Sequence, residues 1–193
     1  MSYSLNVPVP GELKRLAGEL HPQLVAFDRV RDRHTLVCKR LTDGDGADGR
    51  GGRGGRIGRS GQGAGGGRAG ATSARLRERL RRVLTETPAF EARVDRIDFF
   101  ETPTRGSGPV VYLAVESPGL VSLHRRLCET FPPVDGIEGE SYVPHVTLAR
   151  GGSLADAERL ESTAVDPVEW TVSELRLWSG DYREAVARFR LPG

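Results

Sequence analysis

The feature that most limits what this chain can build is the stretch Asp43 to Thr72, which holds 14 of its 25 glycines interleaved with Arg50, Arg53, Arg56, Arg59 and Arg68. Sequence of this kind has almost no apolar surface to set against the backbone entropy lost on folding. It is therefore expected to be a disordered Gly/Arg-rich insertion, 43–72, within a domain that spans residues 1–193. A long loop adds little closure entropy, so the insertion is compatible with a fold continuous on either side of it. It is not a phosphate-binding P-loop, because no Gly-Lys-Ser/Thr ends it.

Outside the tract, 163 residues remain, enough for one domain of ordinary size or two small lobes sharing a core. The net charge is +2, and the tract supplies that surplus with five Arg against three Asp, so the remainder is neutral. Any affinity for nucleic acid must then come from a local arrangement of arginines and not from global charge. Two distant cysteines, Cys38 and Cys128, have no partners at zinc-ligand spacing and read as small buried hydrophobes. No apolar run approaches the roughly 20 residues of a membrane-spanning helix, and Glu12, Lys14 and Arg15 interrupt any signal-peptide core. A cytoplasmic protein with no membrane partner is expected.

Periodicity yields a mixed element order. Tyr3, Leu5, Val7 and Val9 alternate as in a half-buried strand, and Leu13, Leu16 and Leu20 form a helical stripe that Pro22 stops. His34 to Cys38 reads as a short buried strand. After the tract, Ser73 caps a helix that Pro88 ends, followed by strands around 90–100 and 110–115, a helix from Pro118 and a strand over 142–150. Ser153 with Asp156 forms a capping box before a short helix, and closing strands occupy 168–178 and 184–191. In 168–178 the parity of Trp170 and Val172 differs from that of Leu175 and Leu177, which predicts a bulge or kink near Ser173. Helices mixed with hairpin strands favour an α+β fold over a doubly wound parallel sheet.

The stretch Tyr142-Val-Pro-His-Val-Thr-Leu-Ala-Arg150 carries the chemistry. A period of two puts His145 and Thr147 on one face and Val146 and Leu148 on the other. An imidazole that titrates near pH ~6.5 and a hydroxyl about 7 Å along the same face form a fragment of a phosphotransfer site. Tyr142 is placed either to stack on a base or to pack. Arg150 points by parity to the opposite face unless the strand ends there. Lys39 and Arg40, leaving the first His-bearing strand, are candidate cleft cations. His124 and His21 read as structural or exposed.

Pro144-His-Val-Thr-Leu148, with His34-Thr35-Leu36 in the matching place of the other half and Asn6-Val-Pro-Val-Pro10 before the first helix, resembles the 2H phosphoesterase superfamily. The closest branch is the RNA 2′,3′-cyclic phosphodiesterases, or 2′-5′ RNA ligase-like proteins. That resemblance implies two lobes with antiparallel sheets lining a central cleft and helices outside. Each lobe would give a His-x-Thr/Ser strand to the cleft, with neither metal nor other cofactor. It further implies an enzyme that opens the 2′,3′-cyclic phosphate end of RNA, or a cyclic nucleotide, with 2′-5′ ligation as the reverse reaction; a monomer is expected. His34 and His145 would then be catalytic, one as general base and one as acid, with Thr35, Thr147, Tyr142 and Arg150 on the substrate.

The first motif departs from the family pattern, since Thr35 directly follows His34 and Arg33 stands two before the threonine. Three geometries remain open. A bulge brings His34 and Thr35 to one side, His34 alone faces the cleft, or Arg33 replaces the histidine and leaves a phosphate-binding but poorly catalytic site. The rival functions are accordingly a non-catalytic RNA-end or nucleotide-binding module, and an esterase for a small cyclic nucleotide.

Overall fold

The computed structural model describes residues 2–42, 45 and 65–193, with the backbone alone for 65–72. Most of the Gly/Arg tract thus lies outside the described residues. Its end does not: helix α2 covers Gly65–Leu84 and so starts eight residues before the predicted cap at Ser73.

Among the described residues, nine strands form one antiparallel arrangement: β1 (Ser2–Val7), β2 (Arg29–Val30), β3 (Leu36–Thr42), β4 (Phe90–Phe100), β5 (Val110–Glu116), β6 (His145–Arg150), β7 (Val168–Val172), β8 (Glu174–Ser179) and β9 (Glu184–Arg190). Their spatial order is β7-β4-β5-β6-β3-β1-β8-β9, with β2 also paired to β6. The fold is α+β, as the element order predicts. Two four-stranded halves meet at the seam between β3 and β6, where Leu36 pairs with Val146. The break expected near Ser173 is larger than a kink. β7 pairs with β4 at one margin and β8 with β1 in the other half, so Ser173 is where the chain crosses between halves.

Among the described residues, four α-helices complete the layers. In α1 (Gly11–Leu20), Leu13, Leu16, Ala17 and Leu20 are buried, and Pro22 sits in the 3-10 turn His21–Leu24 that follows. Each such leucine contributes roughly 1.5–3 kcal/mol on burial. The Ser117 side chain caps α3 (Pro118–Thr130) by accepting from the Leu120 N–H. Ser153 caps α4 (Leu154–Glu161) by accepting from the Asp156 N–H at 3.1 Å, which confirms the capping box. None of the described helices is long and apolar enough to cross a membrane.

Two bulges set which side chains face outward. Between β1 and β3, Leu5 pairs with Lys39 but Asn6 with Val37, which leaves Cys38 as the extra residue. Between β5 and β6, Val111 pairs with Ala149 but Tyr112 with Thr147, which leaves Leu148 extra. A bulge inverts strand parity beyond it. Cys38 and Lys39 are therefore both buried, as are Leu148 and Ala149, and Arg40 and Arg150 return to the face that carries Val37 and Thr147.

Burial of Lys39 corrects its reading as a cleft cation. The side chain is fully inaccessible, and its ammonium donates to Glu138 Oε2 at 2.5 Å, to the Arg40 carbonyl at 2.9 Å and to the Pro132 carbonyl at 3.0 Å. Glu138 is saturated in turn: Oε1 accepts from the Arg40 N–H at 2.7 Å and Oε2 from the Val134 N–H at 2.9 Å. The pair fastens β3 to the connection between α3 and β6. His124 fastens the same two segments. Its Nδ1–H donates to the Cys38 carbonyl at 2.7 Å, and Nε2 accepts from the Gly139 N–H at 2.9 Å, so the imidazole is neutral with one fixed tautomer.

Removing the carboxylate of Glu138 would strand an ammonium and two N–H groups in the interior. Glu138→Ala is expected to lose about 3–5 kcal/mol in urea unfolding, and the double variant Lys39→Met/Glu138→Leu to lose less. Acid should also weaken the fold. Burial is the main cause that holds His124, His34 and His145 below the ordinary value of 6.5. The unfolded chain then binds more protons, so the histidine contribution is complete above about pH 6.5 and declines as pH falls through the folded values. Urea midpoints are expected to drop between pH 7.5 and 5.5, and His124→Gln, less stable at pH 7.5, should lose less over that interval.

Candidate active site

A cleft of about 390 Å³ opens on the seam, lined from β6 by His145, Thr147 and Arg150 and from the first half by Arg31, Arg33, Thr35 and Arg40. The segment 100–105 and Tyr142 close its sides. His145 and Thr147 share one face, as their spacing predicts, while Val146 and Leu148 enter the core. Across the ladder, His145 pairs with Ala114 and Thr147 with Tyr112.

The imidazole of His145 is tightly defined. Its Nδ1 lies 2.7 Å from the Val143 carbonyl, a partner that can only accept, so Nδ1 carries the hydrogen and Nε2 keeps its lone pair. Phe100 meets the ring edge-on at 5.3 Å between centroids, and Tyr112 lies tilted at 5.1 Å. Burial lowers its pKa most, the Val143 carbonyl opposes that shift, and Arg40 and Arg150 reinforce it. His145 is thus neutral at pH 7, with a basic nitrogen uncommitted among the described residues.

Cations dominate the rest. Arg31, Arg33, Arg40, Arg105 and Arg150 line the cleft, and no Asp or Glu does among the described residues. Arg150 shows the crowding: burial lowers its pKa first, and Arg31, Arg29 and Arg40 lower it further. Its Nη1 donates to the Arg105 carbonyl at 2.8 Å, while Nε is buried without a partner among the described residues. The parity rule that sent Arg150 to the opposite face fails because of the bulge at Leu148. No group of three or more His, Cys, Asp or Glu side chains able to hold a metal ion occurs among the described residues.

The first motif sits differently from the second, as the position of His34 shows. It precedes β3 and lines a neighbouring cavity together with Lys14 and His21, not the cleft of His145. Burial lowers its pKa first; the Thr147 backbone and Asp32 raise it, and Lys14 and His21 lower it. Arg33 and Thr35 line both that cavity and the cleft of His145. The Arg33 guanidinium also lies over the Trp178 ring, 3.8 Å from its centroid. That stack was not anticipated from the sequence, because β8 comes from the far end of the chain.

Tyr142 lines the cleft but is already engaged. Its ring stacks on His124 at 3.7 Å, and its hydroxyl donates to the Val37 carbonyl at 2.8 Å. Burial pushes that hydroxyl well above the usual phenol range. One ring face is thus unavailable to a base or ribose. Sequence reading places a turn at 103–108 but does not assign the segment 100–105, the end of β4 and the start of that turn, to the site.

The architecture is shared with solved proteins of low sequence identity. TT0787 of Thermus thermophilus superposes with a TM-score of 0.62 at 18% identity, covering 100% of this chain and 99% of that one. E. coli LigT complexed with 3'-AMP gives 0.59 at 14% identity, covering 99% and 98%. LigT complexed with NADP+ gives 0.56 at 17% identity, covering 99% and 97%. A search of curated protein sequences finds no significant match. The sequence model of the 2'-5' RNA ligase superfamily matches residues 64–184, more than half of the chain and including the whole of β6. On that match, and with a two-half antiparallel fold common to TT0787 and LigT, the chain belongs to the 2'-5' RNA ligase superfamily.

Proposed function

We propose that this protein opens 2′,3′-cyclic phosphate ends of RNA with His145 as general base and Arg33 in the place of a second histidine. The observation that carries the reading is His145 itself: a neutral imidazole with its Nδ1–H fixed on Val143 and a free Nε2, in a cleft lined by five arginines. Nε2 takes a proton from water as the water oxygen bonds to phosphorus. The bond from phosphorus to one ribose oxygen breaks, and that oxygen takes a proton from solvent. Guanidinium groups and the Thr35 and Thr147 hydroxyls hold the non-bridging oxygens as charge builds on them. Steps run in reverse, with an RNA 5′-hydroxyl in place of water, would form a phosphodiester. A cleft of about 390 Å³ suits a single terminal nucleotide.

A second reading, an RNA-end-binding module without turnover, draws on the position of His34. An arginine does not give up a proton near neutrality, so Arg33 supplies charge but not acid catalysis. The two readings part on a nucleoside 2′,3′-cyclic phosphate, the smallest molecule that bears the reacting group. The first predicts turnover that His145→Ala lowers about 100-fold or more and Arg33→Ala about 100-fold, while His34→Ala changes it less than about threefold because it lies outside the cleft. Binding of a nucleoside 3′-phosphate with no turnover of the cyclic one would establish the module instead. Loss with His34→Ala as severe as with His145→Ala, in a folded variant, would restore the two-histidine mechanism.

A further inference from the structure

The cavity that holds His34 is larger than the cleft, about 710 Å³, and no step of the proposed reaction uses it. α1 forms one wall, and the start of the chain after β1 and the exposed side of β8 form the others. Its charge is again positive: Lys14 and Arg176 join Arg31 and Arg33, against one carboxylate, Asp32. Lys14 is exposed on α1, and Arg176 lies beside Glu174 at 2.7 Å.

Two polar atoms at this cavity are buried without hydrogen-bond partners among the described residues, Oδ1 of Asn6 and Nδ1 of His34. Such orphans are uncommon in folded proteins and call for a partner. Both are acceptors, and a shift of either side chain toward the cavity would let it accept from an amino group or hydroxyl of a ligand. The ligand class suggested by the walls is thus an anion that also carries donors.

The two cavities are contiguous. Arg31, Arg33 and Thr35 line both, and Arg33, braced on Trp178, stands between them. A ligand seated in the cleft can therefore continue past Arg33 without leaving positively charged surface. A single-stranded polyanion with a sugar and base at each phosphate satisfies every one of these conditions.

We infer that the His34 cavity is a second nucleotide subsite, which takes the residue preceding the terminal phosphate of an RNA strand. Its phosphate lies against Lys14 and the shared arginines, and its base or ribose donors meet Asn6 and His34. The inference rests on the cleft being the seat of the RNA end. It makes the preferred ligand an oligonucleotide and not a mononucleotide.

Gly18 provides a direct test. It lines the cavity from α1, and a Cβ built there meets nothing within 4 Å. Gly18→Leu therefore places a bulky side chain at the cavity wall with no clash at its Cβ and improves helix propensity. Binding of an RNA trinucleotide ending in a 3′-phosphate, and of a nucleoside 3′-phosphate, would be measured by anisotropy competition on the full chain. The trinucleotide is expected to bind at least tenfold tighter. Gly18→Leu should erase that preference and leave the mononucleotide affinity unchanged. Lys14→Ala should weaken only the trinucleotide and reduce its salt slope by about 0.7, the value for one phosphate contact on a single strand. Equal wild-type affinities, or a preference that survives Gly18→Leu, would overturn the subsite while leaving the cleft intact. Failure of the mononucleotide to bind at all would overturn the cleft assignment, and the subsite with it.

Discussion

Strand parity decides which charges this protein buries and which it offers to a ligand. A regular β3 would send Lys39 outward with Val37, and a regular β6 would send Arg150 into the interior with Leu148. One extra residue in each strand, Cys38 and Leu148, reverses both outcomes. Lys39 is then committed to the interior, where a bare ammonium is untenable, and Glu138 with two carbonyls and two backbone N–H groups completes a closed network around it. That network, with the His124 hydrogen bonds, fixes the α3–β6 connection, so the entry into His145 is held against the first half.

The chemical character of the cleft follows from that assembly. Arg40 and Arg150 face His145, and their charges, with burial, keep its imidazole unprotonated. Burial, followed by repulsion from Arg31, Arg29 and Arg40, lowers the pKa of Arg150. An anion bound in the cleft would relieve the repulsion among the cations. Binding and basicity thus arise from one set of side chains.

The second half of the site was legible in the sequence and the first was not. In Pro144-His-Val-Thr-Leu148, alternation on a single regular strand is enough to place His145 and Thr147 together, and the structure agrees up to Thr147. Beyond that point a bulge, which local sequence does not announce, controls Arg150. Residues 31–35 belong to no regular strand, since β2 ends at Val30 and β3 begins at Leu36, so parity had no ladder to act on. The choice among His34, Thr35 and Arg33 was consequently open until the long-range partners were known. Those partners, Trp178 for Arg33 and the Thr147 backbone for His34, lie far away in sequence. The α+β class, the Ser153 cap and the interruption at Ser173 were readable because each rests on local periodicity or capping.

The pH dependence of kcat/KM for a nucleoside 2′,3′-cyclic phosphate tests the central claim, that the cleft contains one proton-transfer group. The account predicts a single ascending limb, with an inflection below pH 6.5 set by His145, and then a plateau that extends to about pH 9, because the arginines stay charged. A bell-shaped profile with a descending limb between about pH 6 and 8 would reveal a second histidine acting as acid and would contradict it.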